Sequence, residues 1–284
     1  GQLSLRIQRR RDWFGVEGGA DVDGTTVSLA ALLAAARMGH RFVRVSGNQI
    51  VALSKELRER LRAVDDAVHV GSAGIEASTL AIGALDDLVE ADAQLDAAQD
   101  WLDARRRWAD AATYEPTLPT ELEATLRSYQ LDGFRWLARL AQWSPGACLA
   151  DDMGLGKTVQ TLALLLHRAE EGPTLVLAPT TVGPNWLAEA ARFAPTLRFR
   201  AYRGVGRAQL LANLGPGDVL VTSYDLALRD RELLRAVTFG TLVLDEAQAI
   251  KNAASRRAHA VRDLDARFRL ALTGTPIENH LGEL

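Results

Sequence analysis

Cysteine is all but missing: Cys148 is the single thiol in 284 residues. It has no internal partner, which excludes a disulfide scaffold and fits a reducing, cytoplasmic setting. A zinc centre is excluded on related grounds, because His40, His69, His167, His259 and His280 show no metal-ligand spacing. Set in an apolar run, Cys148 is expected in the core, and the histidines are expected on the surface. No apolar run approaches the roughly 18 residues of a membrane span. Neither sign of charge dominates: 33 Lys and Arg face 36 Asp and Glu, a formal net charge of −3. Bulk attraction to nucleic acid is thereby excluded, and any such contact must rest on a local patch. Lysine is scarce, occurring as Lys55, Lys157 and Lys251. The chain opens on Gly1-Gln2-Leu3, with neither Met nor an apolar signal region, as expected at a fragment boundary.

What is present is an ordinary globular balance, 48% hydrophobic and 24% charged, over a length that predicts two domains. Residues 1–112 read as a smaller α+β or helical domain. Leu29–Arg37 is an Ala/Leu helix. Arg41–Val45 and Gln49–Leu53 flank Ser46-Gly47-Asn48 as a β-hairpin. Helices are predicted over Lys55–Ala67 and Leu85–Ala112. In the second, Trp101 and Trp108 share a face as a core or docking stripe rather than a base-stacking platform. Residues 113–120, with Pro116 and Pro119, form a linker.

From residue 121 to 284 the pattern alternates. Glu121–Gln142 is predicted helical. Strands are predicted at Gly146–Ala150, Thr174–Ala178, Leu197–Tyr202, Asp218–Thr222, Thr241–Leu244 and Phe268–Leu272. Helices are expected between most of them, at Thr158–Ala169, Pro184–Phe193, Arg207–Asn213, Leu226–Val237 and Ala254–Leu264. This predicts an α/β fold, a mostly parallel sheet covered on both faces, with ligands at the carboxyl ends of its strands.

Three strand ends carry chemistry. The run Asp151-Asp152-Met153-Gly154-Leu155-Gly156-Lys157-Thr158 delivers a lysine and a threonine onto a helix through a glycine-punctuated loop. Backbone N–H groups and the helix dipole favour an anion there. Lys157 can reach outer phosphates and the Thr158 hydroxyl can ligate Mg²⁺. The phosphate-loop pattern has Gly where this chain has Asp151. The strand Leu242-Val243-Leu244 ends on Asp245-Glu246-Ala247-Gln248, adjacent acids of which one can hold Mg²⁺ and the next can deprotonate water. The strand Leu270-Ala271-Leu272 ends on Thr273-Gly274-Thr275-Pro276, two hydroxyls around a glycine.

With Arg127-Ser128-Tyr129-Gln130, Leu177-Ala178-Pro179-Thr180 and Thr222-Ser223-Tyr224-Asp225, these motifs occur in an order that resembles the first motor lobe of the Swi/Snf-type ATP-dependent DNA translocases, within helicase superfamily two. The match covers about Pro119 to Leu284. Asp12-Trp13-Phe14 and the hairpin more weakly resemble the accessory region that precedes the motor in bacterial members. The resemblance implies a RecA-like sheet and the cofactors ATP and Mg²⁺. Gln130 would bond the adenine edge, assisted by Arg127, and residues 152–158 (Asp152, Met153, Gly154, Leu155, Gly156, Lys157 and Thr158) would hold the nucleotide. Lys157, Asp245 and Glu246 would be catalytic, with Asp245 the metal-side acid beside Thr158 and Glu246 the base. Gln248, Thr273, Gly274 and Thr275 would couple nucleotide state to lobe movement. Pro179, Thr180, Ser223 and Tyr224 would contact the backbone of double-stranded DNA. Relatives commonly carry Glu in place of Asp152 and often His in place of Gln248.

The resemblance also implies partners: a second motor lobe of the same parent chain, which supplies arginines to the transferring phosphate, and a protein partner for residues 1–112. The 284 residues alone are expected to bind ATP weakly and turn it over very slowly. A nucleotide-gated interaction module that does not translocate, and an RNA-directed relative, are the other readings. The loop around Met153 and the Thr222-Ser223-Tyr224-Asp225 run resemble the duplex-DNA branch.

Overall fold

The computed structural model describes residues 2–10, 13–22, 24–44, 50–72, 74–89 and 94–274. Contacts group them into two compact units, Gly1–Ala112 and Thr113–Leu284.

The first unit begins with strands β1 (Gln2–Arg10), β2 (Trp13–Val22) and β3 (Thr25–Ser28), followed by helix α1 (Leu29–Arg37). Strands β4 (Phe42–Arg44) and β5 (Ile50–Ala52) then pair antiparallel, as the hairpin reading expects; its turn at 45–49 and Asp12 lie outside the described residues. Helix α2 (Lys55–Ala67), strands β6 (Val68–Gly71) and β7 (Gly74–Ala77), helix α3 (Ile82–Leu88), strand β8 (Gln94–Ala97) and helix α4 (Gln99–Thr113) complete it. The main sheet runs β6-β7-β2-β1-β8, with β3 also on β2. Serine hydroxyls set two of the helix starts: Ser28 accepts from the Ala31 N–H and Ser54 from the Leu57 N–H, each satisfying a donor the helix cannot. Trp101 is 1% exposed and meets Phe14 edge-on at 5.1 Å, while Trp108 packs partly buried on the same core. The tryptophan stripe is therefore core.

The continuous helix predicted over Leu85–Ala112 is not formed. It is broken by β8, which pairs in parallel with β1 through Ser4–Ile7. An Ala- and Asp-rich stretch reads as helix locally, but the open edge of β1 offers it a ladder, and tertiary pairing overrides propensity.

The second unit contains α5 (Ser128–Trp143), β9 (Gly146–Leu149), α6 (Lys157–His167), β10 (Thr174–Leu177), α7 (Gly183–Phe193), β11 (Arg198–Ala201), β12 (Asp218–Thr222), α8 (Tyr224–Arg229), α9 (Arg231–Leu234), β13 (Thr238–Asp245), α10 (Arg256–Arg262) and β14 (Asp265–Leu272). The strands form one wholly parallel sheet in the order β11-β12-β10-β13-β14-β9. All six predicted strands are present. The strand period divides the core between two faces. Val176, Val221, Val243 and Leu270 pack with Phe134 of α5, Leu162 of α6 and Trp186 of α7. Leu175, Leu177, Leu220, Leu242 and Leu244 pack on the other side with Ala227, Leu234 and Val261 of α8, α9 and α10.

Several expectations are corrected. Helix α5 starts at Ser128, not at residue 121. Arg127 is extended (φ −67°, ψ 159°) and its N–H donates to Gln130 Oε1, so the Gln130 side chain reaching back to the residue before the helix marks the boundary. The helix predicted over Leu226–Val237 is broken at Asp230, whose carboxylate accepts from the Tyr202 hydroxyl and from Arg207. The one over Arg207–Asn213 is a short 3₁₀ turn over Arg207–Leu211. Cys148 is exposed, not core, because β9 is an edge strand and Leu149 takes the buried face. His167 is half-buried, with Nε2 3.1 Å from the Tyr114 hydroxyl and its ring against Phe134. Burial and then the Arg168 charge hold its imidazole below the usual range. Among the described residues no helix is long and apolar enough to cross a membrane.

Candidate functional site

Sheet register gathers the three chemical strand ends. Asp245 of β13 stands opposite Leu272 of β14, and Leu272 opposite Leu149 of β9. The next residues along each strand, Glu246, Thr273 and Ala150, therefore leave the sheet on one rung, and the Thr273 N–H extends the ladder to the Leu149 carbonyl at 3.2 Å. On the other side of β13, Leu177 of β10 pairs with Leu244 and with Thr222 of β12. Pro179 and Ser223 emerge from this same carboxyl edge.

After β9 the chain turns through Gly154 (φ 83°) and Gly156 (φ 78°) before α6 begins at Lys157. Both backbones are left-handed, the conformation glycine adopts without steric cost. At Gly156 space is also restricted, since an added Cβ would lie 2.4 Å from Gln130 Nε2. Gln130 is 9% exposed; its Nε2 donates to the Leu155 carbonyl at 3.0 Å, and the Tyr129 hydroxyl donates to the same oxygen at 3.2 Å. The α5 cap and the loop are thus tied by one amide. Arg127 is exposed beside it. The Lys157 ammonium donates to the carbonyls of Asp151 (2.6 Å) and Asp152 (3.0 Å). Met153 and Leu155 project outward, and an added Cβ at Gly274 would meet Met153 Cγ at 3.0 Å.

Substituting alanine at 156 combines left-handed strain with overlap, while at Gly154 an added Cβ meets nothing within 4 Å. Gly154→Ala is expected to cost about 1–2 kcal/mol from the backbone alone, and Gly156→Ala visibly more. Thermal melting compares the two, and equal losses would refute the Gln130 contact.

The acidic tip is built tightly. Asp245 Oδ1 accepts from the Glu246 N–H at 2.9 Å, and Oδ2 accepts from the Trp186 indole N–H at 2.8 Å. The Tyr224 hydroxyl donates to the Asp245 carbonyl at 2.8 Å. Burial pushes the Asp245 carboxyl above the usual range. The indole opposes this, the Glu246 charge adds to it, and the Lys157 ammonium, close enough to act, pulls it down. Glu246 sits at φ 50°, ψ 54°, the one non-glycine positive φ among the described residues. Such a backbone costs about 1–3 kcal/mol and is held by its surroundings. Gln248 Nε2 donates to Glu246 Oε2 at 2.6 Å, and the Thr273 hydroxyl donates to Gln248 Oε1 at 3.0 Å. Glu246, Gln248 and Thr273 therefore form one chain of hydrogen bonds from β13 to β14. Thr275 lies outside the described residues.

Three further groups belong to this site and were not among the predicted residues. Trp186 is one. Glu189, one turn along α7, stands near the Thr158 hydroxyl. Burial raises its carboxyl, Thr158 opposes the rise, and the Asp245 charge adds to it. Gln160, fully buried on α6, donates to Asp151 Oδ2 at 3.2 Å, across the point where the phosphate-loop pattern has glycine. The available signal for Trp186 and Glu189 was their i, i+3 spacing on a helix that leaves the same sheet edge.

Pro179, Thr180 and Ser223 line one cavity of about 210 Å³ with Gly183, Tyr202 and Arg203. The Ser223 hydroxyl caps α8 by accepting from Leu226 N–H. Tyr224 is 5% exposed with its hydroxyl turned inward, and it does not line that cavity. The structure thus gathers 179, 180 and 223 at one place and turns the Tyr224 side chain toward the acidic tip.

Residues 129–284 match the family described as the SNF2-related domain. A Bacillus subtilis protein whose name designates an ATP-dependent helicase/translocase, YwqA, is 45% identical over 177 residues, 60% of this chain and 19% of that protein. The chromodomain-helicase-DNA-binding protein 1-like of Mus musculus is 44% identical over 168 residues, 56% of this chain and 19% of its own length. The solved SWI2/SNF2 ATPase core of Sulfolobus solfataricus in complex with dsDNA superposes with a TM-score of 0.55 at 41% identity, covering 60% of this chain and 36% of that one. The chain spans about a fifth of the length of these two curated relatives. A family match across more than half of its residues, on a parallel sheet whose three chemical strand ends share one edge, means that this chain belongs to the SNF2-related family.

Proposed function

We propose that this chain is the ATP-binding lobe of a double-stranded-DNA-dependent ATP hydrolase that tracks along the duplex. The observation that carries the reading is the shared rung: the glycine loop, the acidic pair and Thr273 leave the sheet side by side. The relative solved with dsDNA and the helicase/translocase relatives support it.

The residues suit a magnesium nucleotide. The glycine loop opening α6 offers backbone donors, and Lys157 offers a cation. The Thr158 hydroxyl and the Asp245 carboxylate are hard oxygen donors of the kind Mg²⁺ takes, usually through water. When bound, the ion neutralises charge that develops between the outer phosphates. Gln130 keeps one acceptor lone pair on Oε1 for the adenine edge, its other bonds holding the loop and the cap. Glu246 orients the attacking water and takes its proton. Gln248 aims that carboxylate and reports its position to Thr273. Pro179, Thr180, Ser223 and the backbone at Tyr224 meet phosphates of the duplex, contacts that carry no sequence information.

The test is ATPase stimulation in the intact parent protein by duplex DNA, single strands and RNA. Duplex DNA is expected to stimulate most. Stimulation by RNA alone would overturn the substrate assignment. ATP binding with no stimulation by any nucleic acid would favour a nucleotide-gated interaction module. The 284-residue chain alone is expected to bind ATP and hydrolyse it slowly, because the resemblance assigns the phosphate-facing arginines to a second lobe. Arginines of that kind contribute about 10³–10⁵ in rate in related phosphoryl-transfer enzymes. Fast, DNA-stimulated steady-state turnover by the chain alone would refute this.

A further inference from the structure

We infer that Trp186 is a positioning residue for the magnesium site, acting through Asp245, and that helix α7 is a structural wall of that site. The inference rests on the nucleotide reading above and adds a role for an element outside the three chemical strand ends. Trp186 is 1% exposed, and its indole N–H spends its single donor on Asp245 Oδ2 at 2.8 Å. The backbone N–H of Glu246 holds the other oxygen. With one donor on each oxygen the carboxylate is fixed in rotation, and each oxygen keeps lone-pair capacity toward the cleft. One turn further along α7, the Glu189 carboxyl stands near the Thr158 hydroxyl. A single helix face thus bonds the metal-side group from β13 and lies beside the one from α6. Partners of this kind, which orient a metal ligand without touching the ion, typically change metal affinity or activity about 10–100-fold when removed.

The same helix begins just past Pro179 and Thr180, the segment that lines the cavity beside Ser223.

The test uses the 284-residue chain, ADP and Mn²⁺ as a paramagnetic stand-in for Mg²⁺. Mn²⁺ affinity is read by EPR titration at saturating ADP, and ADP affinity is read separately without metal. Trp186→Phe keeps an aromatic ring and loses the donor. It is expected to weaken Mn²⁺ binding about tenfold or more while metal-free ADP affinity stays within about twofold. If Trp186→Phe does not fold by thermal melting, benzothienylalanine at 186 replaces it, matching the indole shape without the N–H. An unchanged Mn²⁺ affinity in a folded variant overturns the inference, as does an equal fall in metal-free ADP affinity. Failure of the unaltered chain to bind Mn²⁺ with ADP would overturn the nucleotide reading itself, and this inference with it.

Discussion

Lys157→Ala is expected to weaken ATP binding by the chain by about 100-fold or more, close to abolishing it. The ammonium sits at the first residue of α6, held by the carbonyls of Asp151 and Asp152 at 2.6 and 3.0 Å. Those bonds bend the side chain back over the loop, toward the place where the helix N-terminus presents its free N–H groups. Alanine removes the cation and leaves two loop carbonyls without their donor. Hydrogen bonds to charged groups contribute about 1.5–3 kcal/mol each, so losing the ammonium's contact with the outer phosphates, together with its charge, accounts for the effect. Lys157→Arg is expected to fail as well, because the planar guanidinium cannot reproduce the two carbonyl contacts of a compact ammonium. Calorimetric titration with a non-hydrolysable ATP analogue, beside a melting curve to establish folding, is the measurement. An affinity within threefold of the unaltered chain would remove the phosphate loop from the site.

The second large effect separates binding from chemistry. Glu246→Gln in the parent protein is expected to leave ATP affinity within a few-fold and to reduce turnover about 10²–10⁴-fold, the range general bases contribute. The geometry makes this substitution clean. Gln248 Nε2 donates to Glu246 Oε2 at 2.6 Å, and a glutamine oxygen can accept the same bond. The left-handed backbone at 246 is unaffected by the change, so the strain stays where it was. What is lost is the ability to accept a proton from water. Single-turnover hydrolysis measured beside analogue binding checks both halves. Equal turnover in the two proteins would discredit Glu246 as the base and point to its neighbour Asp245.

Much of the motor unit was legible because its signals are local. Each strand is a short apolar run ending on a residue of distinct chemistry, and the six runs appear where the alternation places them. Ser128 as the start of α5 was legible only in part: Gln130 was identified for a ligand role, and its work as a capping partner of Arg127 depends on the φ, ψ of residue 127. In the first unit, Leu3, Leu5 and Ile7 alternate as a half-buried strand should, yet no strand was predicted there. The structure has β1, β2 and β3 in that stretch. The break in Leu85–Ala112 was not legible at all, since β8 forms on an edge supplied from ninety residues earlier.

The amino-acid sequence alone determined the inventory: a glycine loop with its lysine, an acid pair closing an apolar strand, a hydroxyl pair closing another, and their order. These are set by residue type and spacing, which need no partner to be read. Only the tertiary structure decided which side chains stand around that inventory. Trp186 bonded to Asp245, Glu189 beside Thr158 and Tyr224 turned inward are contacts between elements far apart in the chain, and Gln160 braces Asp151 across the loop between β9 and α6. Their physical cause is sheet register: a strand shifted by one residue would send each tip to the opposite face, and no local pattern fixes which strand lies beside which.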